Sequence, residues 1–570
     1  MSENRYQIAV AEFIAKETEL KPEDVLPLIE FPPNPKLGEY AFPCFSLAKQ
    51  LKKSPPQIAQ DLAMRFKKSP LLCGAKAEGG YLNFFVERAN FVQDIVSQLL
   101  KDKEKFGHST IGKGKRIVID YSSPNIAKPF SIGHLRSTII GQALANMFRA
   151  AGYEVVGINH LGDWGTQFGK QIVALKKYGS IEELVAAKDP IDYLFKLYVK
   201  FHEQAEKEPT LEDEAREMFA KTEKGDPEAR KLRDLLVNYS ISAFNKTYDR
   251  LGVKFTFVRG ESFYTKTVEE TLKRISQLVE TRMSEGALVI DLEHYHLPPL
   301  LLKKRDGSTL YSTRDLTALF QRYDEFHFDQ ILYVVGQEQT LHFQQLFGSL
   351  KRMNLSWAES CHHVPFGLIR FKDERMSTRR GNVIFLDEVL NEAHNRALKA
   401  IEEKNPKLKN KDGIAEQVGV GAVIFNDLSQ RRIKEVIFDW DEMLSFEGAT
   451  GPYLQYSHAR ICSIIRKAGG LSKSESVSWP LLKSEEEFQL TRAIEKFPLA
   501  LIKGLVSYEP SMICTALLDL ASAFNTFYHQ HRVIQPDAQL QAARLALIDA
   551  VRQTLSNGLA LLNMAAPEEM

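Results

Sequence analysis

The sequence of 570 residues predicts an α/β fold followed by an all-α region. Residues 1–108 mix helical patterns with a strand-like run, which predicts a small α/β module. Strands and helices alternate in residues 109–386, a pattern typical of a Rossmann-type parallel sheet, with a charged helical insertion at about 175–285. Residues 387–570 keep apolar side chains at helical spacing to the end, which predicts a helical bundle. We therefore expect three domains with these bounds.

The composition sets further limits. Apolar residues make up 44% and charged residues 26% of the chain, values typical of a soluble globular protein. The net charge of +1 means that nucleic-acid binding would depend on local basic patches. The five cysteines form no CxxC pair, so neither a zinc site nor a disulfide framework is expected. The polar start is unlike a signal peptide and no apolar run has membrane-spanning length, so we expect a cytoplasmic protein without membrane contact.

The N-terminal module is predicted from three patterns. Helical spacing covers Tyr6 to Glu19 and Pro55 to Phe66, and a strand-like run covers Gly80 to Val86. The residue chemistry of this module by itself indicates nothing beyond a folding unit.

A βαβ unit begins the central domain. The apolar run from Arg116 to Asp120 predicts a buried strand, Ile139 to Ala151 a helix, and Glu154 to Asn159 a second strand. Ile132, Gly133 and His134 stand at the mouth of this helix.

These three residues predict an ATP site. A helix start offers free N–H groups and partial positive charge, which favour a phosphate. Gly133 has no side chain, so a base or ribose can approach the backbone. His134 supplies a hydrogen-bond donor where charge develops on a reacting phosphate.

The second half of the sheet is predicted from apolar runs. Asp306-Gly307 lies between the runs Leu300–Lys304 and Ser308–Tyr311, which predicts a hairpin. Ile331–Gly336 predicts a strand, followed by a helix from Gln339 to Met353 and a further strand over His363–Ile369.

A polar loop follows at residues 370–383 and contains several guanidinium groups. Such a loop at a sheet edge can clamp a triphosphate through Arg375, Met376, Ser377 and Arg379. By itself, a solvated charged loop is the favoured interpretation, since basic loops are common. Together with the Gly133 site, the nucleotide-binding interpretation is favoured.

Two motifs connect the chain with a known family. Residues 124–141 resemble the PN-x-AKP-x-H-x-GHLRSTIIG segment of class I arginyl-tRNA synthetases, and residues 375–381 resemble the KMSTRKG form of the KMSKS loop. Ser131 replaces the first signature histidine, and Arg375 replaces the leading lysine. The resemblance covers nearly the whole chain and is weakest in the N-terminal module and in the insertion.

The resemblance implies an arginine–tRNA ligase that uses ATP, L-arginine and tRNA(Arg), with activation that depends on bound tRNA. It implies Mg²⁺ bound with ATP and no zinc, and we expect a monomer. The catalytic residues implied are Lys128, Ser131, Gly133, His134, Arg375, Ser377 and Arg379; those implied to bind ATP are Ile132, Gly133, His134, Met376 and Ser377. A serine donates a hydrogen bond without charge, so we expect a slower enzyme that Ser131→His would accelerate.

A guanidinium substrate requires carboxylates, because a desolvated cation without partners is costly. Tyr311 and Asp315 lie one helical turn apart, and Glu261 supplies a second acid. Asp315 is equally consistent with a helix first-turn carboxylate, Glu261 with a surface acid, and His160 with a structural turn histidine. The resemblance implies that arginine is bound by Asp120, Ser123, Asn125, His160, Glu261, Tyr311, Asp315 and Gln339.

Arginines beside aromatic residues in the helical region can hold phosphates and stack unpaired bases, although aromatic side chains in a bundle core are the plainer interpretation. The resemblance implies that the N-terminal domain contacts the tRNA elbow and that the helical domain reads the anticodon. The tRNA contacts implied are Asn83, Tyr456, Tyr528 and Met570.

Three alternatives stay open from the sequence. Another class I synthetase would be distinguished by competition among arginine, lysine, glutamine and cysteine. A tRNA-binding regulator with a disabled site would bind tRNA without charging it. A different adenylyl transferase would leave the long helical tail without a purpose.

Overall fold

A computed structural model of the chain describes residues 4–126, 128–305, 307–372, 384–471 and 477–570, with Phe371 described by its backbone alone. The chain divides into two compact units. One comprises residues 1–110, 457–500 and 516–557, and the other residues 111–456, 501–515 and 558–570. These units combine chain segments differently from the three domains predicted above, whose bounds stay a prediction.

The N-terminal part of the first unit is a small α/β structure. Its strands form an antiparallel sheet with β3 in the middle, in the order β1-β3-β2. A Ser54–Gln57 capping box begins the fourth helix. The elements are α1 Arg5–Thr18, α2 Pro22–Val25, β1 Tyr40–Pro43, α3 Ala48–Leu51, α4 Pro55–Arg65, β2 Leu72–Glu78, β3 Tyr81–Val86 and α5 Arg88–Asp102.

The second unit contains ten strands in its described part. They are β4 Arg116–Asp120, β5 Glu154–Asn159, β6 Phe257–Val258, β7 Thr281–Ser284, β8 Ala287–Ile290, β9 Leu300–Lys303, β10 Gln330–Tyr333, β11 Cys361–His363, β12 Ile369–Phe371 and β13 Val436–Phe438.

A five-stranded parallel sheet forms the centre of this unit, in the order β11-β10-β4-β5-β6. The middle strand β4 is fully buried at Ile117, Val118 and Ile119, as expected of a parallel strand covered on both faces. A second sheet of β7, β8 and β9 is antiparallel, and β12 pairs with β13 in parallel. The predicted Rossmann-type parallel sheet is thereby confirmed.

The helices of the second unit's main segment follow the chain between these strands. The long helix α6 is buried over most of its length because it packs against β4, β5 and α17. The helices are α6 Leu135–Ala150, α7 Thr166–Tyr178, α8 Ile181–Ala186, α9 Pro190–Ala205, α10 Thr210–Lys224, α11 Pro227–Leu251, α12 Glu261–Tyr264, α13 Val268–Leu278, α14 Tyr311–Phe326, α15 Thr340–Arg352, α16 Leu386–Lys404, α17 Lys411–Leu428 and α18 Trp440–Met443.

The rest of the chain is helical, as the sequence predicted. Its helices are α19 Gly451–Lys467, α20 Glu485–Ser507, α21 Ser511–Gln530 and α22 Ala538–Leu561. Pro498 lies inside α20. Over the part of the chain described, no helix combines the length and the apolar character needed to cross a membrane.

Two predicted strands are wrong. The turn at Gly307 forms, since Lys304 N–H donates to Ser308 O at 2.8 Å, but the run after it makes only an isolated bridge at Thr309. The chain then enters α14 at Tyr311, so no hairpin strand exists there. The predicted strand over residues 363–369 is two short strands, β11 and β12, in different sheets.

Candidate active site

A cavity of about 520 Å³ opens at the carboxyl end of β4 and β10 in the parallel sheet. This is the edge at which open α/β sheets bind ligands. The cavity unites nine of the residues singled out from the sequence within the second unit. Those that line it are Asp120, Ser123, Asn125, Ser131, Gly133, His134, His160, Asp315 and Gln339.

The segment before α6 forms one wall. Ile132 N–H donates to Ile384 O at 3.0 Å, and Leu386 N–H donates to Phe130 O at 2.8 Å. Leu368 and Ile369 line the same cavity. The described residues before and after the polar loop therefore both lie at this site. The four loop residues named above, Arg375, Met376, Ser377 and Arg379, lie outside the described residues.

His134 is held by Ser131. Its Nδ1 lies 3.3 Å from the backbone nitrogen and 3.0 Å from the hydroxyl of Ser131. The ring also stacks on Phe130, with centroids 5.3 Å apart. Burial lowers the pKa of His134, and the nearby charge of Lys128 adds to this decrease although a hydrogen bond with the Ser131 backbone opposes it. The ring is therefore neutral at neutral pH.

Lys128 stands apart from the cavity lining. Its Nζ lies 5.4 Å from the ring centroid of Tyr198, on α9 of the insertion. Burial, followed by the charge of Lys170, lowers the pKa of Lys128. Because the lysine does not touch the cavity in this structure, its predicted role needs a rotation of its side chain.

A buried charge network forms the floor. Arg322 Nη1 pairs with Asp120 Oδ2 at 2.8 Å, and its Nη2 lies 3.3 Å from His160 Nδ1. Since a guanidinium only donates, His160 Nδ1 accepts and the ring is neutral. Burial and the Arg322 charge lower the pKa of His160. Asp120 is also bonded by the Ser123 hydroxyl at 3.0 Å, so its carboxylate already has two partners.

The predicted arginine-binding acids lie at one end of α14. Asp315 Oδ2 is 2.8 Å from His342 Nε2 and remains partly exposed. Glu261, at the start of α12, pairs with Arg314 Nε at 2.9 Å. Burial raises the pKa of Glu261 to about 7, with Arg314 opposing the shift and Asp315 adding to it. Glu261 does not line the cavity, but its partner Arg314 is next to Asp315 in the chain.

The insertion also supports the floor of the site. The Tyr248 hydroxyl on α11 lies 2.8 Å from Ser122 Oγ and accepts from Asn159 Nδ2 at 2.9 Å. Asn159 in turn accepts from the Ser123 backbone N–H at 3.2 Å. Ser123 has a φ of 49°, an uncommon conformation outside glycine that these contacts fix.

Family models match three successive regions. The model of the class I tRNA synthetase (R) catalytic domain matches residues 95–440, the arginyl tRNA synthetase N-terminal domain residues 4–86, and the DALR anticodon binding domain residues 454–570. The chain belongs to the class I arginyl-tRNA synthetases. The family predicted from the sequence is confirmed.

Relatives of this synthetase match over their whole length. The arginine–tRNA ligase of Clostridioides difficile (strain 630) is 45% identical over 566 residues, covering 99% of the chain and 100% of the relative. That of Clostridium perfringens (strain 13 / Type A) is 45% identical with the same coverage. The arginyl-tRNA synthetase of Thermus thermophilus superposes with a TM-score of 0.83 at 26% identity, covering 99% of this chain and 100% of that one.

The predicted tRNA contacts of the synthetase differ in exposure. Asn83, in β3, is only 3% exposed, which leaves it little surface for an RNA. Tyr456 is 42% exposed. Arg460 lies over the half-buried ring of Tyr528, 4.2 Å from its centroid. Met570 packs against the cluster around Ile401, and its carbonyl oxygen accepts from Asn405 at 3.2 Å.

Sequence reasoning missed several side chains of this synthetase. Arg322, His342 and Glu338 line the cavity without having been singled out. Arg136, also in the lining, forms a buried pair with Asp427 at 2.9 Å. Arg136 lies in the family motif at residues 124–141, which is a signal for it. Arg322 has none, because an arginine on a helix is usually exposed.

Tyr311 is 56% exposed and lies outside the cavity lining, with its ring 4.9 Å from that of His342. It is therefore a solvent-exposed neighbour of His342, which contacts Asp315. Within the described ranges, no group of three or more His, Cys, Asp or Glu side chains is arranged to hold a metal ion.

Proposed function

We propose that the chain joins L-arginine to tRNA(Arg) in two steps driven by ATP. The observation that supports this most directly is the cavity in which Gly133 and His134, at a helix start, share one space with Asp315 and Gln339. A nucleotide phosphate and a cationic amino acid have complementary partners among these lining residues. The cavity volume lies within the range usual for small-molecule sites.

ATP occupies the wall formed by the start of α6. Gly133 leaves room, since a Cβ there would meet only Ser131 Oγ at 3.5 Å, and His134 donates from Nε2 because its Nδ1 accepts from Ser131. Ile132 belongs to the same turn. Arg375, Met376, Ser377 and Arg379 clamp the triphosphate, and Lys128 joins them when its side chain rotates inward. Mg²⁺ accompanies ATP through its phosphates and needs no dedicated protein cage.

L-arginine occupies the opposite side. Its guanidinium pairs with Asp315 and Glu261, displacing the internal partners His342 and Arg314, and Tyr311 covers it. Ser123, Asn125 and Gln339 receive the backbone end of the amino acid. Asp120 and His160 act from the floor of the site, where Arg322 fixes both.

The chemistry needs no protein nucleophile. A carboxylate oxygen of arginine attacks the α-phosphorus of ATP, the bond to the β-phosphate oxygen breaks and pyrophosphate leaves. The terminal ribose hydroxyl of the tRNA then attacks the carbonyl carbon of the adenylate, and AMP leaves as the ester forms. Positioning of the reactants and stabilisation of the developing negative charge supply the rate.

Bound tRNA(Arg) is required for the first step, and its anticodon is read by Tyr456, Tyr528 and Met570. The exposure of Tyr456 and the Arg460–Tyr528 stack support such contacts, because aromatic and guanidinium planes stack unpaired bases. The enzyme acts as a monomer in the cytoplasm and uses no zinc.

Aminoacylation of purified tRNA(Arg) with radiolabelled arginine tests the proposal. We expect charging that is inhibited by excess unlabelled arginine and unaffected by lysine, glutamine or cysteine. Arginine-dependent ATP–pyrophosphate exchange is expected only when tRNA(Arg) is present. Binding of tRNA without charging would instead favour the alternative of a tRNA-binding regulator with a disabled active site.

A further inference from the structure

Ser131 and His134 hydrogen-bond to each other in the turn that leads into α6. The Ser131 side chain receives the backbone N–H of His134, and the His134 side chain receives the backbone N–H of Ser131, which is a capping box. The third residue of a capping box is commonly Glu or Gln, whose side chain serves only the helix end. Here that position is a histidine that also lines the cavity.

The donors around His134 determine its tautomer. A backbone N–H cannot accept, so the Ser131 nitrogen at 3.3 Å requires a bare Nδ1. Because that nitrogen carries no proton, the Ser131 hydroxyl, 3.0 Å away, donates to it as well. Two donors thus converge on Nδ1. The remaining proton of the neutral ring must be on Nε2.

The surroundings keep the ring in this position. Phe130 stacks on one face of the imidazole with an interplanar angle of 28°. Residues on both sides of Ser131 are fixed by backbone bonds to Ile384 and Leu386. Ser131 is therefore a rigid support, since its own backbone cannot turn away from His134.

We propose that Ser131 is a positioning residue that holds His134 as a neutral Nε2–H donor toward the reacting phosphate. This inference rests on the proposed function, because it needs ATP at His134. Ser131 acts through the imidazole and has no direct contact with the nucleotide. The geometry reverses the expectation from the sequence: histidine at position 131 lacks the hydroxyl, and Ser131→His slows the enzyme.

A double-mutant cycle tests this coupling by arginine-dependent ATP–pyrophosphate exchange with tRNA(Arg) present. We expect Ser131→Ala to lower kcat about tenfold or more, with the KM for ATP and for arginine changed by less than about threefold. Ser131→Thr keeps the hydroxyl at an extended backbone position, φ −88° and ψ 163°, and recovers most of the loss. In the His134→Ala background, Ser131→Ala has no further effect.

Ser54→Ala provides the matched control, since it removes the capping-box serine of α4. We expect Ser54→Ala to lower the Tm by about as much as Ser131→Ala does, but to leave the exchange rate unchanged. Wild-type kcat in Ser131→Ala would overturn the inference. So would a loss that persists in the His134→Ala background, because Ser131 would then act directly or through the helix alone. A wild-type chain without exchange would overturn the proposed function and this inference with it.

Discussion

Arg322 Nη1 lies 2.8 Å from Asp120 Oδ2, and the two side chains retain only 1% and 6% of their surface. Removing one partner of such a pair leaves an uncompensated buried charge. We predict that Arg322→Met lowers the free energy of unfolding by about 3–5 kcal/mol, as measured by urea denaturation. Lys351→Met is the control, because its pair with Glu359 is exposed at 39% and 80% and should contribute less than about 1 kcal/mol. Equal effects of the two substitutions would contradict the prediction.

The pH dependence of arginine binding is predicted from Glu261. Burial raises the pKa of Glu261 to about 7, although Arg314 favours the charged form; Asp315 and Asp163 add to the increase. The carboxylate that receives a guanidinium is therefore protonated as the pH falls below 7, and the KM for arginine rises. Well below the pKa, the limiting slope is about tenfold per pH unit.

Exchange kinetics from pH 5.5 to 8 measure this effect. Glu261→Gln should give a high KM that varies little over the same range. A wild-type KM that is constant over this range would show that Glu261 does not bind the substrate cation.

Asp315 is predicted to bind the guanidinium directly. A charge-assisted hydrogen bond contributes about 1.5–3 kcal/mol, so Asp315→Asn should raise the KM for arginine by about 10- to 100-fold while the KM for ATP changes little. Asp324→Asn is the matched control on the same helix, because Asp324 pairs with Arg274 at an exposed site. Steady-state aminoacylation compares the two variants, and a similar KM in both would exclude Asp315 from the site.

Two glycines near α6 should respond to substitution in opposite ways. A Cβ on Gly141 would lie 2.3 Å from the Tyr121 ring atoms, so Gly141→Ala should destabilise the fold by about 1–3 kcal/mol. A Cβ on Gly133 would meet only Ser131 Oγ at 3.5 Å and project into the cavity lining. Gly133→Ala should therefore keep its stability and raise the KM for ATP. Thermal unfolding and exchange kinetics separate the two, and a destabilised Gly133→Ala would contradict this assignment.

Local patterns predicted much of the sheet. The strands β4 and β5 have the bounds expected from their apolar runs, Arg116–Asp120 and Glu154–Asn159, because both are buried and bounded by polar or turn residues. The Asp306-Gly307 turn also indicated a reversal of the chain. The run after it failed as a strand because Tyr311 and the residues beyond it form a helix with one buried face.

Long-range partners could not be predicted from the sequence. The pairing of Asp120 with Arg322 joins a strand end to a helix far along the chain, and neither local pattern encodes it. The same holds for Arg314, which pairs with Glu261. The family resemblance implied Asp120 and Glu261 as arginine-binding acids, whereas the structure shows that both acids have internal cationic partners.

Tyr248 limits how far the insertion can be shortened. Its hydroxyl supports Ser122 and Asn159 at the floor of the site, yet it stands near the end of α11, a 25-residue helix of the insertion. Deleting the whole insertion would therefore remove the hydrogen bonds by which Tyr248 supports the active site. The insertion can be shortened without loss of the site only where the last turns of α11 are kept. It is therefore structurally part of the active site.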